Sequence, residues 1–160
     1  IINIHGSSLR LFIKNSKLTQ KTIRCLKILE DEKKNLNINN LSAIKNKISK
    51  ESRLMKSRLE KYKRENIKVI GYGSPARVST ITNYSKINSQ LIEYIIDDSP
   101  IKQNKFTPGS HIKILPRKNN LNKNIRIVIV FAYEYFTDIR KKFKNMKVKF
   151  YKPIPFKKLV

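Results

Sequence analysis

The sequence contains very little of several residue types, and each shortage excludes a class of protein. Cys25 is the only cysteine among 160 residues, which excludes a disulfide framework and a cysteine-based metal site. The only two histidines, His5 and His111, have no second histidine, cysteine or carboxylate at metal-ligand spacing. No Ser/His/Asp or Cys/His set is apparent either. We therefore expect neither a metal site nor a catalytic residue in this chain.

Long hydrophobic runs are also missing. No apolar segment approaches the length that a bilayer crossing requires, and the first residues carry no signal peptide. The chain begins with Ile-Ile-Asn, which reads as a strand inside a domain. We expect the C-terminal part of a longer cytoplasmic protein, without a membrane partner.

Acidic residues are scarce, and the formal net charge is +25. Such a charge favours anionic partners, nucleic acid among them. The cations, however, are 27 lysines and only 9 arginines, scattered from Lys14 to Lys158, whereas phosphate forks and base recognition favour arginine. A codon bias towards Lys, Asn and Ile explains this pattern. We expect no specific nucleic-acid partner, although a small anionic ligand would gain from the same field.

The first 65 residues combine short strands with two helices. Alternating apolar residues around Gly6-Ser7-Ser8 predict two strands or a bulged edge within residues 2–13. Apolar residues at helical spacing predict helices over residues 22–35 and 41–65, the second with Asn40 as its N-cap. The polar residues 14–21 read as a linker.

From residue 66 onward the pattern alternates between strands and helices. A continuous apolar run at residues 125–132 is typical of a buried parallel strand. The fold class is therefore α/β, a Rossmann-like, mostly parallel sheet with flanking helices, preceded by a helical connector. The predicted parts are a domain-end remnant at 1–15, the connector at 16–65 and the Rossmann-like domain at 66–160. The predicted strands are 67–70, 91–96, 111–115, 125–132 and 148–151, and the predicted helices 76–84 and 136–145.

A glycine-rich turn connects the first of these strands to its helix. Gly71 and Gly73 let the backbone adopt positive φ and approach a ligand closely. Ser74 as a cap and Pro75 at the first helical position would leave free N–H groups at the positive end of the helix dipole. Arg77, in the first helical turn, has the fork that binds phosphate or carboxylate. The turn therefore predicts an anion site.

Two other functions fit the same turn. Asp97 lies 26 residues after Gly71, near the spacing at which a dinucleotide-binding fold holds a ribose hydroxyl. Ala76 occupies the place of the third glycine in that motif. An NAD(P)-binding oxidoreductase domain is thus one alternative, and a non-catalytic scaffold with a purely structural turn is another.

Several segments, in order along the chain, resemble one family. GYGSPARVSTITNY (Gly71–Tyr84), DDSPIKQNKFTPGSHIKI (Asp97–Ile114) and IHGSSLR (Ile4–Arg10) resemble the C-terminal domain of the S-adenosylmethionine-dependent C-methyltransferases that act on nucleotide-linked deoxysugars. AYEYF (Ala132–Phe136) stands where that family has an AWNF-like stretch. The ending Pro153-Ile154-Pro155 resembles the family's closing PIPE.

The resemblance implies a role in binding a substrate. The partners would be a nucleotide-linked sugar and the protein's own upstream methyltransferase domain. That upstream part would bind S-adenosylmethionine and, in an N-terminal region, zinc, so no cofactor is expected here. His5 and Arg10 would lie at the boundary with the upstream methyltransferase domain and would face the same substrate cleft as the glycine turn. The implied substrate-binding residues are His5, Arg10, Gly71, Tyr72, Gly73, Ser74, Ala76, Arg77 and Lys102.

Overall fold

The structure, a computed structural model, describes residues 2–3, 7–15 and 20–160. The chain divides into two compact units, Ile1–Lys47 and Ile48–Val160. Met55 and Leu59 are fully buried in the core of the second unit. The division into a remnant at 1–15, a connector at 16–65 and a domain at 66–160 stays a prediction.

The first unit contains a short hairpin and a helix. Strands β1 (Ile2–Asn3) and β2 (Ser7–Ser8) pair antiparallel, so the second strand lies where the sequence predicted the connection between two strands. Residues 9–15, by contrast, form no strand despite their alternating pattern. Helix α1 (Ile23–Asn35) begins after Thr22, whose hydroxyl accepts a hydrogen bond from the Cys25 N–H at 3.3 Å.

Helix α2 (Ile38–Arg64) starts three residues earlier than predicted. The Asn37 side chain, not that of Asn40, caps this end, because the Asn40 N–H donates to Asn37 Oδ1 at 3.0 Å. None of the helices that the described residues form has the length and apolar composition needed to cross a bilayer.

The second unit is built on one six-stranded sheet of order β5-β4-β3-β6-β7-β8. The first five strands in this order are parallel, and β8 pairs antiparallel with β7 at the edge of the sheet. The sequence analysis did not predict β8. The predicted α/β fold with a mostly parallel sheet is therefore confirmed. The elements are β3 (Val69–Tyr72), α3 (Arg77–Tyr84), β4 (Tyr94–Ile96), β5 (Lys113–Leu115), β6 (Ile127–Val130), a 3₁₀ helix (Tyr133–Tyr135), α4 (Phe136–Lys141), β7 (Lys149–Lys152) and β8 (Lys157–Leu159).

Helices cover both faces of this sheet, so its central strands are buried on both sides. All four residues of β6 are buried, as its continuous apolar run predicts. On one face, the sheet packs against Met55 and Leu59 of α2 and Val78 of α3. On the other face, it packs against Ile139 of α4 and the following Phe143. The packing on both faces holds the strands in place, and the candidate site lies at their carboxyl ends.

Candidate functional site

The sheet has a topological switch point between β3 and β6. From β3 the chain continues to β4 and β5 on one side, and then returns to β6 and β7 on the other. In open α/β sheets, ligands bind in the crevice outside the carboxyl ends of the strands at such a point. Here residues 73–77 follow β3 and residues 131–134 follow β6. We refer to these two segments and the space between them as the switch-point crevice.

The packing of the crevice requires both glycines of the turn. β3 runs two residues further than predicted, so Gly71 lies inside the strand. A Cβ on Gly71 would lie 2.7 Å from Ile95 Cγ1 and 3.0 Å from Phe131 Cε2. Gly73 has a φ of +79°, and a Cβ on it would overlap Cβ of Ala132. Close packing of neighbouring strand ends thus explains glycine at both positions, before any ligand is considered.

Asp97 holds the turn in place. This residue is 7 % exposed, and its carboxylate accepts hydrogen bonds from the Ser74 N–H at 2.5 Å and the Ser99 N–H at 2.9 Å. The Lys102 ammonium lies 3.4 Å from the same carboxylate. The Asp97 carboxylate therefore already binds a backbone N–H of the turn. In a dinucleotide-binding site, the carboxylate at this position would instead be free to bind a ribose hydroxyl. Lys102, one of the predicted substrate-binding residues, pairs with it.

Helix α3 begins at Arg77 rather than Ala76, and Ser74 is not its cap. The position before the helix is Ala76, which has helical backbone angles and makes no side-chain hydrogen bond to the helix. The Val78 N–H donates to the Pro75 carbonyl at 2.9 Å. The backbone N–H groups of Ala76 and Arg77 have no acceptor in the part of the chain that the structure describes. The start of α3 therefore retains two donors that suit an anion.

Arg77 connects the two segments of the crevice. Its Nε donates to the Phe131 carbonyl at 3.2 Å, and its Nη2 pairs with the Glu134 carboxylate. The guanidinium carbon lies 4.5 Å from the ring centre of Tyr133. Arg77 thus bridges the two segments of the crevice, and its side chain is 37 % exposed. The Glu134 carboxylate already occupies part of its guanidinium group. An arriving anion must share the guanidinium with Glu134 or displace that carboxylate.

The sequence analysis did not assign Tyr133, Glu134 and Lys152 to the site. Lys152 ends β7, and its Nζ lies 3.9 Å from the ring centre of Tyr133. Burial raises the pKa of Glu134, but hydrogen bonds and the positive charges of Arg77 and Lys152 together outweigh this effect, so the pKa lies below its ordinary value. The available signal was the AYEYF stretch, since Tyr133 and Glu134 directly follow the strand at the switch point.

A second polar cluster surrounds Asp98, next to the crevice. The Tyr72 hydroxyl donates to the Asp98 carboxylate at 2.9 Å, the Lys142 Nζ lies 2.6 Å from it and the Arg117 Nε 3.9 Å. Burial raises the pKa of Tyr72 to about 12. Burial also raises the pKa of Asp98, but hydrogen bonds from Lys142 and Tyr72, together with the positive charges of Lys142 and Arg117, outweigh it and lower that pKa below 3.8. The hydroxyl of Tyr72, a predicted substrate-binding residue, is thus engaged within the protein.

The lowered pKa of Asp98 predicts a pH-dependent contribution to stability. This contribution is present above the ordinary value of 3.8 and is lost as the pH falls through the lowered pKa. We expect Asp98→Asn to be less stable than the wild type at neutral pH, with the difference shrinking in acid. Urea unfolding midpoints from about pH 7 to about pH 2 measure it.

The matched control is Asp138→Asn, which removes an exposed carboxylate that pairs with Lys141 three residues away. It should change the midpoint little at any pH. A constant difference between wild type and Asp98→Asn over the whole range would contradict the assigned role of Asp98.

Two predicted site residues, His5 and Arg10, remain. His5 falls outside the described residues. Arg10 is described and exposed. Across the described ranges, no group of three or more His, Cys, Asp or Glu side chains is arranged to hold a metal ion.

Comparison with known proteins identifies a family. The family model described as "C-methyltransferase C-terminal domain" matches residues 3–155, nearly the whole chain. No curated protein matches the chain significantly. The matched range includes both segments of the switch-point crevice.

Proposed function

The chain belongs to the C-methyltransferase C-terminal domain family, and from this premise we propose that it helps to bind and orient the substrate of a methyltransferase. The proposed substrate is a nucleotide-linked deoxysugar, and the proposed enzyme is an S-adenosylmethionine-dependent, cytoplasmic sugar C-methyltransferase. Its proposed partner is a methyltransferase domain of the same protein.

The observation that carries the proposal is the position of Arg77. It lies at the switch point of the sheet, where α/β folds bind ligands, with two backbone donors at the start of the same helix. A guanidinium fork and backbone N–H groups together suit the oxygens of a phosphoryl group. Tyr133 and the Phe131 carbonyl hold the guanidinium in place. A diphosphate is the part of a nucleotide-linked sugar that this arrangement fits.

In this proposal the domain contributes by positioning. Methylation of carbon requires a carbanion or enolate next to the methyl donor, so a fixed orientation of the sugar lowers the barrier. Holding the diphosphate at the crevice would fix that orientation. S-adenosylmethionine and zinc do not fit the described residues. The carboxylate that could hold a ribose, Asp97, is buried against the turn, and no metal-binding cluster is described. We therefore assign both groups to other parts of the enzyme.

Calorimetric titration of the chain with three ligands tests the proposal. Uridine diphosphate-glucose or thymidine diphosphate-glucose should bind, and added salt should weaken the binding because the contact is ionic. S-adenosylmethionine, which carries no phosphate, should bind much more weakly. NAD⁺ shares the diphosphate, but Asp97, the carboxylate that would hold its ribose, is already engaged, so NAD⁺ should also bind more weakly than the nucleotide-linked sugar. Binding of NAD⁺ alone would support the oxidoreductase alternative instead. Binding of none of the ligands would support a scaffold and overturn the proposal.

A further inference from the structure

One lysine at the crevice has no carboxylate oxygen within 4.0 Å in the described ranges. Among the described residues, five lysines are half-buried, namely Lys56, Lys68, Lys102, Lys142 and Lys152. The first four each have a carboxylate oxygen within 4.0 Å. Lys152 has none within this distance in the described part of the chain. Lys152 therefore differs from the other half-buried lysines in having a charge that no carboxylate of the described chain contacts directly.

The surroundings of Lys152 place its charge beside the switch point. β7 is the neighbour of β6, and Lys152 is its last residue, so the side chain starts at the carboxyl edge of the sheet. Its ammonium lies over the Tyr133 ring at 3.9 Å from the centre. The Arg77 guanidinium lies over the same ring. Two cations therefore contact one aromatic side chain of the crevice.

The two cations differ in what already neutralises them. Arg77 is paired with Glu134, whereas Lys152 contacts the face of an aromatic ring and has no carboxylate oxygen within 4.0 Å among the described residues. The pKa of Glu134, which burial raises and Arg77 lowers, is lowered further by Lys152, so the field of Lys152 reaches the crevice. An anionic oxygen bound here would complete the pairing that the chain itself does not supply.

We propose that Lys152 binds a second phosphoryl group of the ligand whose first phosphoryl group lies at Arg77 and the start of α3. This inference rests on the proposed function and gives the site a preference for a diphosphate over a monophosphate. Lys152 acts as a point charge, which suits a flexible phosphoryl oxygen without demanding a fixed geometry.

The variant Lys152→Met tests the inference, because methionine keeps an unbranched apolar stem against Tyr133 while removing the charge. The probes are inorganic pyrophosphate and inorganic orthophosphate, titrated into the full chain by calorimetry. We expect pyrophosphate binding to weaken roughly tenfold and orthophosphate binding to weaken much less. Lys152→Arg should retain most of the pyrophosphate affinity. Equal melting temperatures of wild type and variant would exclude a merely structural effect.

Lys149→Ala is the matched control, since Lys149 is an exposed lysine at the opposite end of the same strand. It should leave both affinities unchanged. If Lys152→Met binds pyrophosphate as the wild type does, or loses both probes equally, this inference fails while binding of the nucleotide-linked sugar still supports the proposed function. If the wild type binds neither pyrophosphate nor a nucleotide-linked sugar, both proposals fail.

Discussion

Arg77→Ala is expected to weaken binding of a nucleotide-linked sugar by about tenfold to a hundredfold. A hydrogen bond to a charged group contributes roughly 1.5–3 kcal/mol, which corresponds to that range of affinity. Arg77→Lys should recover only part of the loss, because an ammonium cannot replace a bidentate fork. Calorimetry with uridine diphosphate-glucose or thymidine diphosphate-glucose measures both variants.

The control for this prediction is Arg126→Ala. Arg126 is an exposed arginine immediately before β6, at the amino ends of the strands. Replacing it removes the same formal charge as Arg77→Ala, but away from the crevice. Its affinity should stay close to that of the wild type. Equal losses of affinity in both variants would show that the effect depends on the net charge of the protein and not on the position of Arg77. Unchanged binding in Arg77→Ala would leave residues 71–77 as a structural turn.

Gly73→Ala is expected to produce the largest loss of stability. A side chain at a φ of +79° costs about 1–3 kcal/mol in backbone strain. The new Cβ would also overlap Ala132, and such overpacking costs typically about 1–3 kcal/mol. The sum, about 2–6 kcal/mol, should lower the melting temperature by roughly 5–20 °C. Thermal unfolding measures it.

Gly109→Ala separates the two contributions. Gly109 also has a positive φ, +76°, but its added Cβ would meet the side chain of Asn83, which is exposed and can move. We expect a loss of stability closer to the strain alone. Equal losses at both positions would show that overlap with Ala132 contributes nothing, and the packing argument for Gly73 would then be wrong.

The sequence predicted the architecture because the apolar pattern determines it. The continuous run at residues 125–132 identified a strand that is buried on both faces, and the alternation of strands and helices identified the parallel sheet. The family resemblance, carried by Gly71–Tyr84 and Asp97–Ile114, is confirmed by the family match. Element ends were less accurate, since side-chain capping decides them locally. Asn37 replaced Asn40 as the cap of α2, and the predicted Ser74 cap of α3 is absent.

The sequence indicated part of the candidate site but not its contacts. The glycine turn indicated Arg77 and the start of α3, because these residues are neighbours in the chain. The pairing of Arg77 with Glu134 joins residues 57 positions apart, and only the order of the strands brings them together. The same holds for Lys152, which reaches Tyr133 because β7 lies beside β6. Contacts across the switch point depend on tertiary structure, so no local pattern reveals them.

The most direct test of the central claim is to locate the bound ligand by nuclear magnetic resonance. The ¹⁵N-labelled chain would be titrated with uridine diphosphate-glucose while amide shifts are followed. The account predicts the largest changes at Gly73, Arg77 and Tyr133, in the switch-point crevice. The alternative site for comparison is an open cleft of about 230 Å³ at the amino ends of the strands. Its lining includes Asn66 and Leu91. Largest changes at that cleft, or changes spread evenly over the lysines, would contradict the account.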